Sequence, residues 1–276
     1  MKAGAFDYVR PPSLAQAIAL LAESAGAAQL MAGGQSLVAM MNLRVAAPER
    51  VIDIGRLAEL RTVAEDAAAV TLGACVTHAA IEDGAVPDPS RGLMPKAAAG
   101  IAYRAIRMHG TIGGSLALAD PAAEWPIVLT ALGASAVLHG PAGRRSVSCA
   151  DFVTGIYETA ITGDEIIESI RIPKLSPAAR WGYVKFCRKT GAFAHSLAVV
   201  VRDPERSQAR AVLGAANGKP LVLARTSAVI GAGGGVDPLE RAIGDDVAAA
   251  RDRHFDDFQQ ELHAAVAARA VRQVLG

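Results

Sequence analysis

Apolar residues near the start of the chain switch between a spacing of two and a spacing of three to four, which marks alternating strands and helices. Phe6–Arg10 has the pattern of a short strand. Ser13-Leu14-Ala15-Gln16 has the spacing of a helix capping box and opens an Ala/Leu-rich helix that runs to about Ser24. A strand near Gln29–Met31 leads straight into Gly33-Gly34. Leu37–Leu43 is helical until Pro48 breaks the pattern, and Val51-Ile52-Asp53-Ile54 is a further strand bounded by Gly55. These elements predict a small α/β unit over 1–55.

Between Leu60 and Ala74 two β-rich runs flank Glu65-Asp66 as in a hairpin, and Thr77–Glu82 follows as a short helix. Arg91–Ala102 reads as helix, Thr111–Ser115 as a glycine loop, and Pro121–Leu132 as a helix with proline near its start. Strands recur around Ala136 and at Ile166–Ile172, which predicts a second, α+β unit over 56–173. The stretch from Pro173 to Pro177 is the best candidate linker. Beyond it, three strands (Gly182–Arg188, His195–Arg202 and Arg210–Ala215) precede helical segments, predicting a third unit over 174–276. The fold class is α+β.

At 276 residues the chain is long enough for two or three packed units, each with its own core. A formal charge of +1, with Lys and Arg scattered, recommends neither a nucleic-acid nor an anionic-membrane surface. The first residues lack the apolar run of a signal peptide, and no stretch reaches the roughly 18 apolar residues of a membrane span. The expectation is a cytoplasmic protein. Cys75, Cys149 and Cys187 lie far apart without metal-ligand spacing, so no metal site and no iron–sulfur cluster is expected in this chain.

Two glycine segments stand out as candidate chemistry: Ala32-Gly33-Gly34-Gln35-Ser36, between a strand and a helix, and Thr111-Ile112-Gly113-Gly114-Ser115. Glycine removes the Cβ that would block a phosphate, and neighbouring amides and hydroxyls can donate to its oxygens. Two such segments suit a diphosphate, although either alone is also a plain turn. Neither is a dinucleotide fingerprint, since GxGxxG is absent. Gly214–Pro220 departs from a phosphate-binding P-loop and reads as a hairpin turn. Gly113–Ala117 lacks the last glycine of a nucleophile elbow. His78, His109 and His195 are isolated and receive no catalytic role; Asp120 and Glu124 read as helix-capping carboxylates or acceptors from a sugar hydroxyl.

The sequence resembles the medium, FAD-binding subunits of the xanthine dehydrogenase and carbon monoxide dehydrogenase group. The resemblance is carried by Met31-Ala32-Gly33-Gly34-Gln35-Ser36-Leu37, by Leu43-Arg44 through Pro48 to Ile52-Asp53-Ile54, and by His109-Gly110-Thr111-Ile112-Gly113-Gly114-Ser115-Leu116 with Asp120-Pro121-Ala122-Ala123-Glu124. It continues through Ile170-Arg171-Ile172-Pro173 and Lys185-Phe186. Met108-His109 and Ala192-Phe193-Ala194-His195 depart from the commoner patterns.

The resemblance implies a two-part FAD domain of the vanillyl-alcohol-oxidase type, followed by a C-terminal domain with a three-stranded antiparallel sheet and helices. It implies that Met31, Ala32, Gly33, Gly34, Gln35, Ser36, Leu37 and Val38 wrap the FAD diphosphate. Thr111, Ile112, Gly113, Gly114 and Ser115 would hold it from the other side. Ile101 and Glu124 would lie near the cofactor, and Ile167 and Lys185 near its isoalloxazine. It further implies a large subunit with a molybdenum–pterin cofactor, a small subunit with 2Fe–2S clusters, and a dimer of heterotrimers. The implied function is electron transfer from those clusters through FAD to an external acceptor. A stand-alone flavin oxidase and a scaffold subunit without FAD stay open as alternatives.

Overall fold

The computed structural model describes residues 2–275; Met1 and Gly276, at the two ends of the first and third predicted units, lie outside the described residues. The chain opens with β1 (Asp7–Val9), α1 (Leu14–Glu23), β2 (Ala28–Met31), α2 (Leu37–Asn42) and β3 (Arg50–Asp53). Ser13 caps α1 by accepting a hydrogen bond from the Gln16 amide at 3.2 Å. Leu14, Ala17 and Ile18, three and four residues apart, form its buried face. The three strands form a parallel sheet in the order β1-β3-β2, with α1 in the crossover from β1 to β2 and α2 in the crossover between the paired strands β2 and β3.

The next unit contains β4 (Val63–Glu65), β5 (Ala69–Gly73), α3 (His78–Glu82), α4 (Leu93–Ala99), α5 (Arg104–Arg107), α6 (Ile112–Leu118) and α7 (Glu124–Leu132). After these come β6 (Ser135–Gly140), β7 (Gly143–Ser148), α8 (Cys149–Phe152), a short hairpin of β8 (Val153–Gly155) and β9 (Glu158–Thr159), and β10 (Ile166–Pro173). Five of these strands form an antiparallel sheet, β4-β5-β10-β6-β7. A bulge in β10 between Ile167 and Ser169 shifts its register against β6.

Two expectations change here. Thr111–Ser115 is not a loop: Thr111 is the N-cap of α6, and Ile112–Ser115 form its first residues. The helix expected from Pro121 starts at Glu124, because Asp120 accepts from the Ala122 amide at 2.8 Å and holds 120–122 in a turn.

The last part holds β11 (Arg180–Phe186), β12 (Ser196–Asp203), β13 (Gln208–Gly214), β14 (Leu221–Val222), α9 (Ala224–Gly231), α10 (Val236–Ala249) and α11 (Asp257–Leu275). Its antiparallel sheet has four strands, not three, in the order β11-β12-β13-β14. The extra strand is two residues long and pairs with the end of β13, so no alternation could mark it. The stretch expected as a linker is packed: the Ser176 amide and hydroxyl donate to the buried Asp203 carboxylate at 2.8 and 2.6 Å.

Central strand β12 is a continuous apolar run because both its faces are covered. Leu197, Val199 and Val201 share a core with α7 and the five-stranded sheet, while Ala198 and Val200 share another with α10 and α11. Helix α7, apolar except for Glu124 and Thr130, is buried along its whole length. It thereby joins the second sheet to the third.

Candidate functional site

The first glycine segment is placed by β2, whose last residue Met31 pairs with Asp53. Gly34 adopts φ +69°, a left-handed conformation that turns the chain into α2. Gly33 is required for another reason: a Cβ there would lie 2.0 Å from the His109 carbonyl oxygen. The segment before α6 therefore touches the first glycine segment through backbone alone. The amides of Gly33, Gly34, Gln35, Ser36 and Leu37 donate to no group among the described residues. Five successive unengaged donors beside the cavities suit an anion.

The second segment is different. Its Ile112 amide donates to the Val76 carbonyl at 3.0 Å, Gly113 to Ala74 at 2.9 Å, Gly114 to the Thr111 hydroxyl at 3.0 Å, and Ser115 to the Thr111 carbonyl at 3.0 Å. The expectation that both segments expose several amides is corrected: those of 112–115 are already engaged. What remains on this side is the Thr111 amide together with the Thr111 and Ser115 hydroxyls. Gly113 is needed for contact, since a Cβ would sit 2.5 Å from that of Ala74. Ile112 is fully buried in the core.

Two cavities flank the contact between the segments. The larger, about 1010 Å³, is bounded by Met31–Gln35 and Val38 on one side and by Thr77, His109 and Thr111 on the other, with Arg10, Arg56 and Arg61 in its wall. The smaller, about 510 Å³, is lined by Met31–Leu37, by Thr111, Gly113, Gly114 and Ser115, and by Ile167. Met31, Ala32, Gly33, Gly34, Gln35 and Thr111 face both. Most of the expected site residues are thus brought together.

Ile101, Glu124 and Lys185 line neither cavity. Lys185 instead donates through Nζ to Glu124 Oε1 at 2.6 Å and to the Gly100 carbonyl at 3.0 Å, with both side chains less than a tenth exposed. Burial raises the Glu124 carboxyl above its ordinary range, although the neighbouring Lys185 draws it down. Ile101 forms an isolated parallel bridge with Gly191. These residues form a second cluster where α7 meets β11.

Several lining residues were assigned no role from the sequence. Asp53 accepts from the Tyr8 hydroxyl, from Arg10 at 3.1 Å and from the Gly55 amide at 2.9 Å. Burial pushes its carboxyl up, but the Tyr8, Gly55 and Arg10 hydrogen bonds together hold it below the usual range. An acid inside the apolar run Val51–Ile54 is the signal that could have found it. Cys75 faces both cavities, yet burial pushes its thiol up to about 12, so it is an inert wall residue. His78 lines the smaller cavity, and burial, with Arg107 nearby, lowers it to about 4.

Residues 4–175 match the family described as the FAD binding domain in molybdopterin dehydrogenase, and the chain belongs to that family. It is 37% identical over 221 residues to the carbon monoxide dehydrogenase medium chain of Hydrogenophaga pseudoflava, which covers 80% of this chain and 77% of that one. It is 39% identical over 224 residues to the nicotine 6-hydroxylase medium subunit of Paenarthrobacter nicotinovorans, covering 79% and 77%. Its fold superposes on a chain of carbon monoxide dehydrogenase from Hydrogenophaga pseudoflava with a TM-score of 0.92 at 31% identity, over 99% of this chain and 98% of that one. Quinoline 2-oxidoreductase from Pseudomonas putida 86 gives a TM-score of 0.86 at 30% identity, over 100% and 98%.

Proposed function

We propose that this chain is the FAD-carrying, electron-transferring medium subunit of a molybdenum hydroxylase complex. The observation that carries the proposal is the row of free amides from Gly33 to Leu37, which with Thr111 lies between two cavities that share Gly33, Gly34, Gln35 and Thr111 as lining. That donor row suits a diphosphate, and cavities of about 1010 and 510 Å³ on either side of it leave room for a dinucleotide. When bound, FAD supplies a redox centre that accepts and releases electrons. The chain's own residues bind and orient it. Met31–Val38 wrap the diphosphate, Thr111, Gly114 and Ser115 close over it, and Ile167 packs against the cofactor. Ile112 and Gly113 set the approach of α6. Ile101, Glu124 and Lys185 lie outside both cavities, and in this reading their cluster toward β11 supports the site from behind, with the Lys185 cation balancing Glu124.

The reading divides the chain into a two-part FAD domain of the vanillyl-alcohol-oxidase type, over 1–55 and 56–173, and a C-terminal domain over 174–276. Its partners are a large molybdenum–pterin subunit and a small 2Fe–2S subunit, arranged as a dimer of heterotrimers in the cytoplasm. Exposed Tyr103, Met108, Phe186 and Phe193 on adjoining segments supply apolar surface for such contacts. Among the described residues no helix is long and apolar enough to cross a membrane.

The test is to co-purify the complex and add carbon monoxide, aldehydes, purines and N-heterocycles in turn under exclusion of oxygen. The expected result is that one class bleaches the flavin absorption after the clusters are reduced. A substrate that reduces the clusters and never the flavin would overturn the proposal.

A further inference from the structure

His78 is a buried side chain with a directed, unused donor. The residue is 5% exposed at the start of α3 and lines the smaller cavity. Trp125 Nε1, which can only donate, gives its hydrogen bond to His78 Nδ1 at 3.0 Å. The neutral imidazole must then carry its proton on Nε2. That nitrogen makes no hydrogen bond with any described residue, while the His78 amide donates to the Gly110 carbonyl at 2.9 Å. A Cβ on Gly110 would lie 2.8 Å from Nε2, so the ring is pressed against the backbone that leads into Thr111. Trp125 and Gly110 together fix both the tautomer and the direction of the donor.

Unlike His263 Nε2, His78 Nε2 is not sealed off, so its N–H is open to an acceptor in the cavity. The acceptor can be identified by what shares the cavity. The free amides of Gly33–Leu37 line the same cavity, Gly33 lies against the His109-Gly110 backbone that His78 also touches, and the amides of 112–115 are already engaged. Resting on the proposed flavin reading, we propose that His78 is a binding residue whose Nε2–H donates to a diphosphate oxygen of FAD, completing from the α6 side the cradle begun by Gly33–Leu37. Burial and Arg107 keep the ring neutral, so the Nδ1 acceptor and Nε2 donor roles persist across the physiological range.

The experiment compares the wild-type chain with His78→Phe and His78→Gln, after removal of bound flavin. Binding of FAD, ADP and riboflavin is measured by calorimetry and fluorescence quenching. Phe fills the ring's space without a donor, while Gln carries an amide N–H near the position of Nε2. The expected result is that His78→Phe weakens FAD and ADP about tenfold or more, leaves riboflavin within about twofold, and that His78→Gln restores most of the loss. Equal FAD affinity in wild type and His78→Phe would overturn the inference, as would a parallel loss of riboflavin. A wild-type chain that takes up riboflavin and FAD equally would overturn it too. A wild-type chain that binds no flavin at all would remove the flavin reading as well, a result distinct from those three.

Folding of the Phe variant is addressed by ¹⁵N-histidine spectra of the wild-type protein. An Nε2–H tautomer at His78 whose proton shifts on adding ADP is expected; an Nδ1–H tautomer, or no shift on adding ADP, would contradict the inference.

Discussion

At the scale of single residues, the site depends on backbone surfaces that touch without side chains between them. Gly33→Ala places a methyl group 2.0 Å from the His109 oxygen, which neither segment can absorb without moving. The expected outcome is a loss of flavin affinity of tenfold or more together with a lowered Tm. Unchanged thermal unfolding and flavin titration would show that the two segments are not in contact. Lys185 and Glu124 pose a different problem, because each is buried only in the presence of the other. Lys185→Met leaves a buried carboxylate unpaired, a class of change that costs about 3–5 kcal/mol. Adding Glu124→Gln is expected to return much of that loss in denaturant unfolding; a single variant as stable as wild type would contradict the pairing.

At the scale of elements, the sheet-bridging helix α7 carries the heaviest packing. Leu129 is fully buried in it, and Leu129→Ala is expected to cost about 2–5 kcal/mol in denaturant unfolding. Val222→Thr, on the short exposed edge strand β14, should stay within about 0.5 kcal/mol. A reversed order would mean that α7 is not part of the core.

Most elements were legible because their burial follows their period. The face Leu14/Ala17/Ile18 and the apolar run of β12 both announce themselves in the sequence. Strand β7 was not legible, since Gly143-Arg-Arg-Ser-Val-Ser is an almost wholly exposed edge. The start of α6 was missed because its two glycines read as a turn, whereas here they allow contact with Ala74 and the Thr111 cap. Of the candidate site, Ala32–Ser36 was legible from glycine placement, while Met31, Leu37 and Val38 were supplied only by the family resemblance. The roles of Asp53 and His78 were not, because they depend on Tyr8 and Trp125, 45 and 47 residues away in the chain.

For the whole molecule, two buried neutral histidines predict how stability follows pH. Burial lowers both His78 and His263 from 6.5 to about 4, with Arg107 adding to the effect at His78. Because the unfolded chain takes up these protons first, their contribution is fully present above about pH 6.5 and is lost as pH falls toward 4. The Tm of the flavin-free chain is expected to drop across that window, and less so in a His263→Gln variant. A flat profile from pH 7 to 4.5 would contradict the buried neutral state. His263 lies in the core beneath the third sheet, its Nδ1 2.8 Å from the Ser196 hydroxyl, so this loss begins away from the glycine segments.

The binding of FAD by this chain itself is the claim on which the account rests. It is tested most directly by the absorption spectrum of the purified chain, with the cofactor released and identified, alongside a Gly34→Asp variant. That substitution sets a carboxylate among the free amides at a position with φ +69°. The account predicts a yellow protein that releases FAD and a variant that binds none. A colourless wild-type chain that cannot take up FAD, or a variant that holds FAD as well as wild type, would contradict it.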